Sequence, residues 1–295
     1  MSRDRIVVVG DIINDIVVVP RGEVRPDTDT PSTIRSRPGG SAANTAVWLG
    51  SLGAKVDFAG CVGIEDQAYH EAVFADAGVV PHLQVAAGVP TGTIVILVDG
   101  ERRTMLTERG ANSAFASTSV TDELLAKAGV LHISGYSILD GFGIPGARDL
   151  IDRARALDVP VSVTPGSYGY ISDFGVDAFL EATAGTSILF PNLAEGELLS
   201  GQKDPKRIGA ALRERFEIVV LTMGADGLMV FEGKSSTHVP APSIQHIADP
   251  TGAGDALAAG FLDRWIVSRD AVASAEAGVF VAARAIMVIG GRPPI

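Results

Sequence analysis

Short apolar runs alternate with Ala-rich or amphipathic stretches along most of the chain. Ile6-Val7-Val8-Val9-Gly10 is a β-branched run that stops at a glycine, the pattern of a strand buried on both faces. Ser41 to Leu52 is Ala-rich and predicts a helix, followed by Gly53 and a second strand at Val56-Asp57-Phe58-Ala59-Gly60. Further strands are expected at Val130 to Ser134, Val159 to Val163, Thr186 to Phe190, Ile218 to Thr222 and Gly227 to Phe231. Helical stretches fall between most of them, at Asp66 to Ala77, Thr121 to Lys127, Ile144 to Leu157, Glu195 to Leu199 and Lys206 to Phe216. Strand and helix in alternation predict an α/β fold: a three-layer, Rossmann-like, mostly parallel sheet with helices on both faces.

Two pairs of runs break that rhythm. Ile16 to Val19 and Thr33 to Arg37 have no helix between them, and Thr93 to Val98 and Arg103 to Thr107 are joined by Asp99-Gly100-Glu101, a hairpin turn. These four strands predict a small separate β-sheet, a lid. The expected division is a core of residues 1–15, 38–92 and 108–295 with a lid of 16–37 and 93–107. Ile94-Val95-Ile96-Leu97-Val98 lacks polar alternation, so both lid faces are expected to be apolar, one over a ligand and one against a second copy of the chain.

Composition narrows the function. The 295 residues are 46% apolar and 20% charged, a globular balance. A net charge of -11 argues against a nucleic-acid partner. Ala271 to Ile289 is the longest apolar stretch, but Glu276 and Arg284 interrupt it, so it reads as a buried helix and not a membrane span. The single cysteine, Cys61, excludes an internal disulfide or a cysteine metal cluster and fits a reducing cytoplasm. The five histidines show no metal spacing. Gly233-Lys234-Ser235 has Leu228 where a P-loop needs its first glycine, and a hairpin turn is the better reading.

Two glycine turns carry the candidate chemistry. In Asp249-Pro250-Thr251-Gly252-Ala253-Gly254-Asp255, small residues precede a helix, so amides and a positive helix end converge on an anion site. Asp255 beside such a site suits a base for a hydroxyl attacking phosphorus, and taken alone it equally suits a helix cap. In Pro38-Gly39-Gly40-Ser41-Ala42-Ala43-Asn44, the glycines admit close ligand approach, and Asn44 one turn on can hydrogen-bond hydroxyls. Asp15, after the first strand, suits a pair of vicinal hydroxyls.

Together these residues resemble the ribokinase-like, or PfkB, family of carbohydrate and nucleoside kinases, over essentially the whole chain. Val9-Gly10-Asp11-Ile12-Ile13-Asn14-Asp15 is similar to the family's opening strand and substrate aspartate. Gly39-Gly40-Ser41-Ala42-Ala43-Asn44 resembles its first signature, and Asp249 to Asp255 its second. The resemblance implies an ATP-dependent kinase acting on a hydroxymethyl group of a sugar, or of a nucleoside. It implies Asp255 as base, an oxyanion role for the Gly252, Ala253 and Gly254 amides, and Asp15, Gly39, Gly40, Asn44 and Arg109 at the acceptor. Asn192-Leu193-Ala194-Glu195 is similar to the motif that organises magnesium and phosphate. Thr222, Gly224 and Gly227 would lie along ATP, and Asp249 and Thr251, with carbonyls near Gly290, would contribute to a potassium-type cation site. The family's lid often mediates dimers, which implies a homodimer here.

Thr164-Pro165-Gly166 departs from several sugar-acid and hexose kinases, which carry an aspartate followed by an asparagine and an arginine there. Arg109 touches substrate or phosphate, or pairs with an acid, and Tyr136 lines the acceptor pocket or packs in the core. Two readings from other classes are a nicotinamide-dependent oxidoreductase, against which stands the missing G-x-G-x-x-G at Gly10, and a non-catalytic sugar sensor, against which stands the intact Asp255 turn.

Overall fold

The computed structural model describes residues 3–99 and 102–294. Its strands are β1 (Arg5–Val9), β2 (Ile13–Pro20), β3 (Ser32–Gly39), β4 (Lys55–Gly63), β5 (Val79–Ala86), β6 (Gly92–Asp99), β7 (Arg102–Glu108), β8 (Ala128–Ser134), β9 (Val161–Thr164), β10 (Ile188–Leu189), β11 (Ile218–Thr222), β12 (Leu228–Glu232) and β13 (Ser235–Val239). Nine of them form one sheet in the order β13-β12-β11-β10-β9-β8-β1-β4-β5. From β5 to β11 the neighbours are parallel, and β12 and β13 continue antiparallel. This is the mostly parallel α/β sheet with helices on both faces that the alternating pattern implies, and the ribokinase-like architecture that the resemblance implies.

Side-chain alternation on β1 divides the core. Val7 and Val9 join one apolar cluster and Ile6 and Val8 the other, all with no exposed surface. The first cluster is covered by the helices Gly143–Ala156, Val176–Ala182, Leu193–Ser200 and Pro205–Leu212. The second is covered by Ser41–Ser51, Gln67–Asp76, Ala253–Ser268 and Ala271–Ala285. The apolar C-terminal stretch is thus a 15-residue core helix. Among the described residues no helix is long and apolar enough to cross a membrane.

β4 lies on one side of β1 and β8 on the other, so the chain switches direction across the sheet at the end of β1. Ligand crevices in open α/β sheets form at such points, beyond the carboxyl ends of the strands. Here those ends lead into Gly10-Asp11, Gly135-Tyr136, Thr164-Pro165-Gly166, Asn192 and Thr222-Met223-Gly224.

The remaining strands make a separate sheet in the order β3-β2-β6-β7. Asp15 lies on β2 itself. β6 and β7 pair antiparallel, while Gly100 and Glu101 of the expected hairpin turn fall outside the described residues. Both faces carry apolar residues, and one of them also carries Asp15 and three arginines. Cross-strand pairing places Ile16, Val18, Ile34, Val95, Leu97 and Leu106 on one face. Asp15, Arg35, Arg37 and Arg103 share the other with Val17, Val19, Ile94, Ile96, Val98 and Met105.

Candidate active site

Gly252 is the N-cap of the Ala253–Ser268 helix and has φ 76°, a left-handed backbone that disfavours a side chain. A Cβ there would also lie 2.5 Å from the Gly291 Cα. At Gly254 a Cβ would meet nothing within 4 Å, and the residue is exposed. Packing therefore leaves that position open, and the free space belongs to a cavity. Asp255 sits in the first helical turn and lines a cavity of about 230 Å³ with Ser41, Thr164, Asn192, Glu195, Thr222 and the Gly252–Gly254 turn.

Ser41 Oγ donates to Asp255 Oδ1 at 2.7 Å and Asn44 Nδ2 donates to Oδ2 at 3.1 Å. Burial raises the Asp255 carboxyl from 3.8 to about 7; those two hydrogen bonds oppose the rise, Asp11 adds to it and Arg292 lowers it. A carboxyl so poised is partly ionised near neutral pH, and its ionised form is basic enough to take a proton. The helix-cap alternative does not account for it, since Gly252 holds the cap position and Asp255 spends both oxygens on the Ser41 helix.

The Gly39-Gly40 turn lets that helix approach. Gly40 has φ 97°, and a Cβ would meet the Asp11 carbonyl oxygen at 2.4 Å. A Cβ on Gly39 would strike the Asp15 carboxylate at 2.1 Å. Asp11 is buried and accepts the Ser41 and Ala42 N–H groups at 3.0 and 3.2 Å, so its charge fills the helix N-terminus. Burial pushes Asp15 up to about 6, with Arg292 drawing it down.

Arg292 ties these groups together and has no sequence signal of its own. Its Nε donates to Asn44 Oδ1 at 3.0 Å and its Nη2 to the Gly39 carbonyl at 2.9 Å. Its Nη1 is buried with no hydrogen-bond partner among the described residues. Burial lowers its pKa to about 10, and Asp15, Tyr69, Asp255 and Asp11 each pull it back up. One cation thus balances three carboxylates.

Arg109 is ion-paired to Asp140 at 2.5 Å and stands over the Tyr136 ring at 5.0 Å and the Tyr170 ring at 6.0 Å. The acidic neighbour is real, so the guanidinium is partly committed. Tyr136 is half-buried, and burial is the main reason its hydroxyl is raised to about 12, with Asp11 and Asp255 adding to the rise.

Asn192 and Glu195 form a complete capping box for the Leu193–Ser200 helix: Asn192 N–H donates to Glu195 Oε2 and Glu195 N–H to Asn192 Oδ1, each at 2.9 Å. That explains the spacing locally, yet both residues also line the cavity of Asp255. Burial raises Glu195 to about 7 against the Asn192 hydrogen bonds. A second cavity, of about 570 Å³, adjoins the first and is lined by Thr222, Gly224, Gly227, Ile244, Ile247, Val279 and Ile286. The residues Thr222, Pro250, Ala253, Gly254 and Leu257 line both, so the glycine turn is their common wall.

Asp249 and Thr251 are already partnered. Arg103 Nη1 lies 2.7 Å from Asp249 Oδ1 and 2.7 Å from Thr251 Oγ1. Thr251 N–H donates to Asp249 Oδ1 at 2.8 Å and Gly290 N–H to Oδ2 at 3.0 Å. With a guanidinium on both oxygens, the pair does not fit a monovalent cation as expected from the sequence.

The whole arrangement places Asp255 in the smaller cavity and the N-terminus of the Ala253–Ser268 helix at the wall it shares with the larger one. A family model for "pfkB family carbohydrate kinase" matches residues 3–295. The chain belongs to the pfkB family of carbohydrate kinases. Within this pfkB protein's surroundings, bifunctional protein HldE of Shewanella baltica is 28% identical over 301 residues, covering 95% of this chain and 60% of that protein. The pfkB chain thus spans about 60% of the length of that relative. A protein of Archaeoglobus fulgidus described as an uncharacterized sugar kinase is 26% identical over 83% of this chain and 96% of its own length. In structure, adenosine kinase from Sinorhizobium meliloti superposes with a TM-score of 0.87 at 25% identity, covering 100% of this chain and 97% of that one.

Proposed function

We propose that this pfkB-family chain transfers the γ-phosphate of ATP to a hydroxymethyl group of a sugar, with Asp255 as base. The observation that carries the reading is the shared wall: Gly254, open to solvent, stands between the Asp255 cavity and the larger apolar one. ATP fits the larger cavity, its base among Ile244, Ile247, Val279 and Ile286 and its phosphates against Thr222, Gly224 and the turn. Asp255 takes the acceptor hydroxyl proton and aims that oxygen at phosphorus, and the helix N-terminus with the Gly254 amide meets charge developing on the transferred group. The Ala253 amide is less available, since it turns back to the Pro250 carbonyl at 3.3 Å.

Magnesium fits one carboxylate plus phosphates and water, the donor set it ordinarily takes, and Glu195 is the buried cavity carboxylate whose raised pKa asks for a cation. When bound, magnesium would neutralise phosphate charge, with Glu195 and Asn192 ordering its surroundings.

On the acceptor side, Asp15, the Gly39–Gly40 turn and Asn44 supply the groups that hydroxyls need, although neither they nor Arg109 and Tyr136 line the two cavities described above. A nucleoside acceptor is the second reading, favoured by the fit to an adenosine kinase. Magnesium-dependent ADP release across pentoses, hexoses and nucleosides decides between them: turnover with a sugar is expected, nucleoside-only turnover selects the second reading, and no turnover with any acceptor refutes both.

The apolar outer face of the small sheet supports a homodimer through the lid. Ile34 and Leu106 are 64% and 63% exposed there, and they share the face with Ile16, Val18, Val95 and Leu97. Sedimentation should show a dimer that Leu106→Glu converts to monomer; a monomeric native chain would refute this.

A further inference from the structure

Arg103 lies on β7, on the face of the small sheet that carries Asp15 and Arg37. It reaches across 146 residues of sequence to the segment just ahead of the Gly252 cap. Its Nη1 bridges Asp249 Oδ1 and Thr251 Oγ1, both at 2.7 Å. Asp249 is 8% exposed and is otherwise hydrogen-bonded by the Thr251 and Gly290 amides. A cation on these two oxygens would occupy the space that Nη1 fills, and two like charges there would repel each other.

We infer that the Arg103 guanidinium is this chain's built-in substitute for a bound monovalent cation, carried on the lid and locked onto the loop that leads into the anion hole. The inference deepens the kinase reading, because the loop it fixes is the one assigned there to the transferred phosphoryl group. Arginine suits the place. It keeps its charge at every working pH and donates two hydrogens from one nitrogen to two oxygens. Hydrogen bonds from Thr251, Gly290 and Arg103 outweigh burial and keep the Asp249 carboxyl below its ordinary value, so the pair stays ionised. A free cation reaches its loop independently of the lid. Arg103 cannot, so the charge beneath the anion hole is present only while β7 stands over the site. Arg103 acts as a positioning residue, through Asp249 and Thr251.

The test needs no acceptor. The thermal midpoint of the native chain, Arg103→Met and Arg103→Lys is measured in potassium, sodium and choline chloride at equal ionic strength. Thallous-ion NMR on the same samples reads ion binding directly. The native chain is expected to show no potassium-specific response. Arg103→Met exposes the two oxygens and is expected to gain a potassium-specific rise of several degrees and a bound thallous signal. Arg103→Lys, which keeps a charge there, is expected to behave like the native chain. A potassium-specific rise in the native chain overturns the inference, and that arm requires no variant to fold. So does an Arg103→Met chain that binds no thallous ion, or an Arg103→Lys chain as potassium-responsive as Arg103→Met. With an acceptor in hand, Arg103→Met should lose kcat in choline and recover it in potassium. If every acceptor fails, the kinase reading falls while the ion measurements still decide the role of Arg103.

Discussion

Asp255→Asn is expected to lower kcat by about 10³-fold, within the range for loss of a positioned general base, while ATP binding stays within a few-fold of native. The asparagine keeps the shape of the side chain and can still accept from Ser41 Oγ, but it cannot take a proton. ATP contacts are assigned to the opposite side of the glycine turn, so binding is spared. Stability provides a control with a definite sign. The folded-state pKa of Asp255, about 7, lies above its ordinary 3.8. For an acid shifted upward, folding is favoured at low pH, and that contribution is lost as pH rises from the ordinary value through the folded one. Asparagine turns its amide nitrogen toward the Asn44 Nδ2 donor, so any stability deficit of the variant should shrink relative to native as pH rises through about 7. The native kcat/KM should climb with pH through about 7 and then level. Near-native turnover by Asp255→Asn, measured by ADP release alongside ATP titration, would remove Asp255 from the mechanism.

Replacing Arg292 by Met should cut kcat/KM at neutral pH by about 10²-fold and move its acid limb upward by about one pH unit. The reason is charge balance. Arg292 lowers both Asp15 and Asp255, and without it these carboxylates and Asp11 share a pocket with no counter-ion. Asn44 would also lose the donor that orients its amide toward Asp255. Arg292 has no ion-pair partner within 4.0 Å among the described residues, so its removal should cost about 1.5–3 kcal/mol for each charge-assisted hydrogen bond it loses to Asn44 and Gly39. Arg292→Lys separates the two contributions, since it keeps the charge and loses the fork. Its pH profile should stay near native even if kcat falls. An unshifted acid limb in Arg292→Met would mean that Arg292 serves packing alone.

What the sequence reveals and what it hides divide along a physical line. β1, the two glycine turns and Asp255 are legible because a few adjacent residues carry the signal: β-branched runs, absent side chains, an acid in a first turn. The small sheet is legible as strands that no helix separates. β5 escapes because Pro81 and alternating polar residues blur an edge strand, and β13 because it is short and exposed. The partners of the site escape for a different reason. Arg292 meets Asn44 across 248 residues and Arg103 meets Asp249 across 146, and no periodicity encodes such pairs. The cation expected at Asp249 and Thr251 illustrates this: the two oxygens are where the motif puts them, and what occupies them came from another sheet. Likewise the spacing of Asn192 and Glu195 signals both a capping box and a site, and only the cavity shows that one motif serves both.

The C-terminal strap has a bearing on how the protein comes into being. Arg37 Nη1 donates to the Ile289 carbonyl, Trp48 Nε1 to the Gly291 carbonyl and Arg292 to Gly39. Each contact joins residues 37–48 to residues 289–292. During synthesis, the strands and helices of the first half emerge and pair long before residue 292 leaves the ribosome. Until then Asn44 lacks its orienting donor and the carboxylate pocket lacks its cation. Until residue 292 has been made, the chain therefore holds its site carboxylates without the cation and donor that balance and orient them.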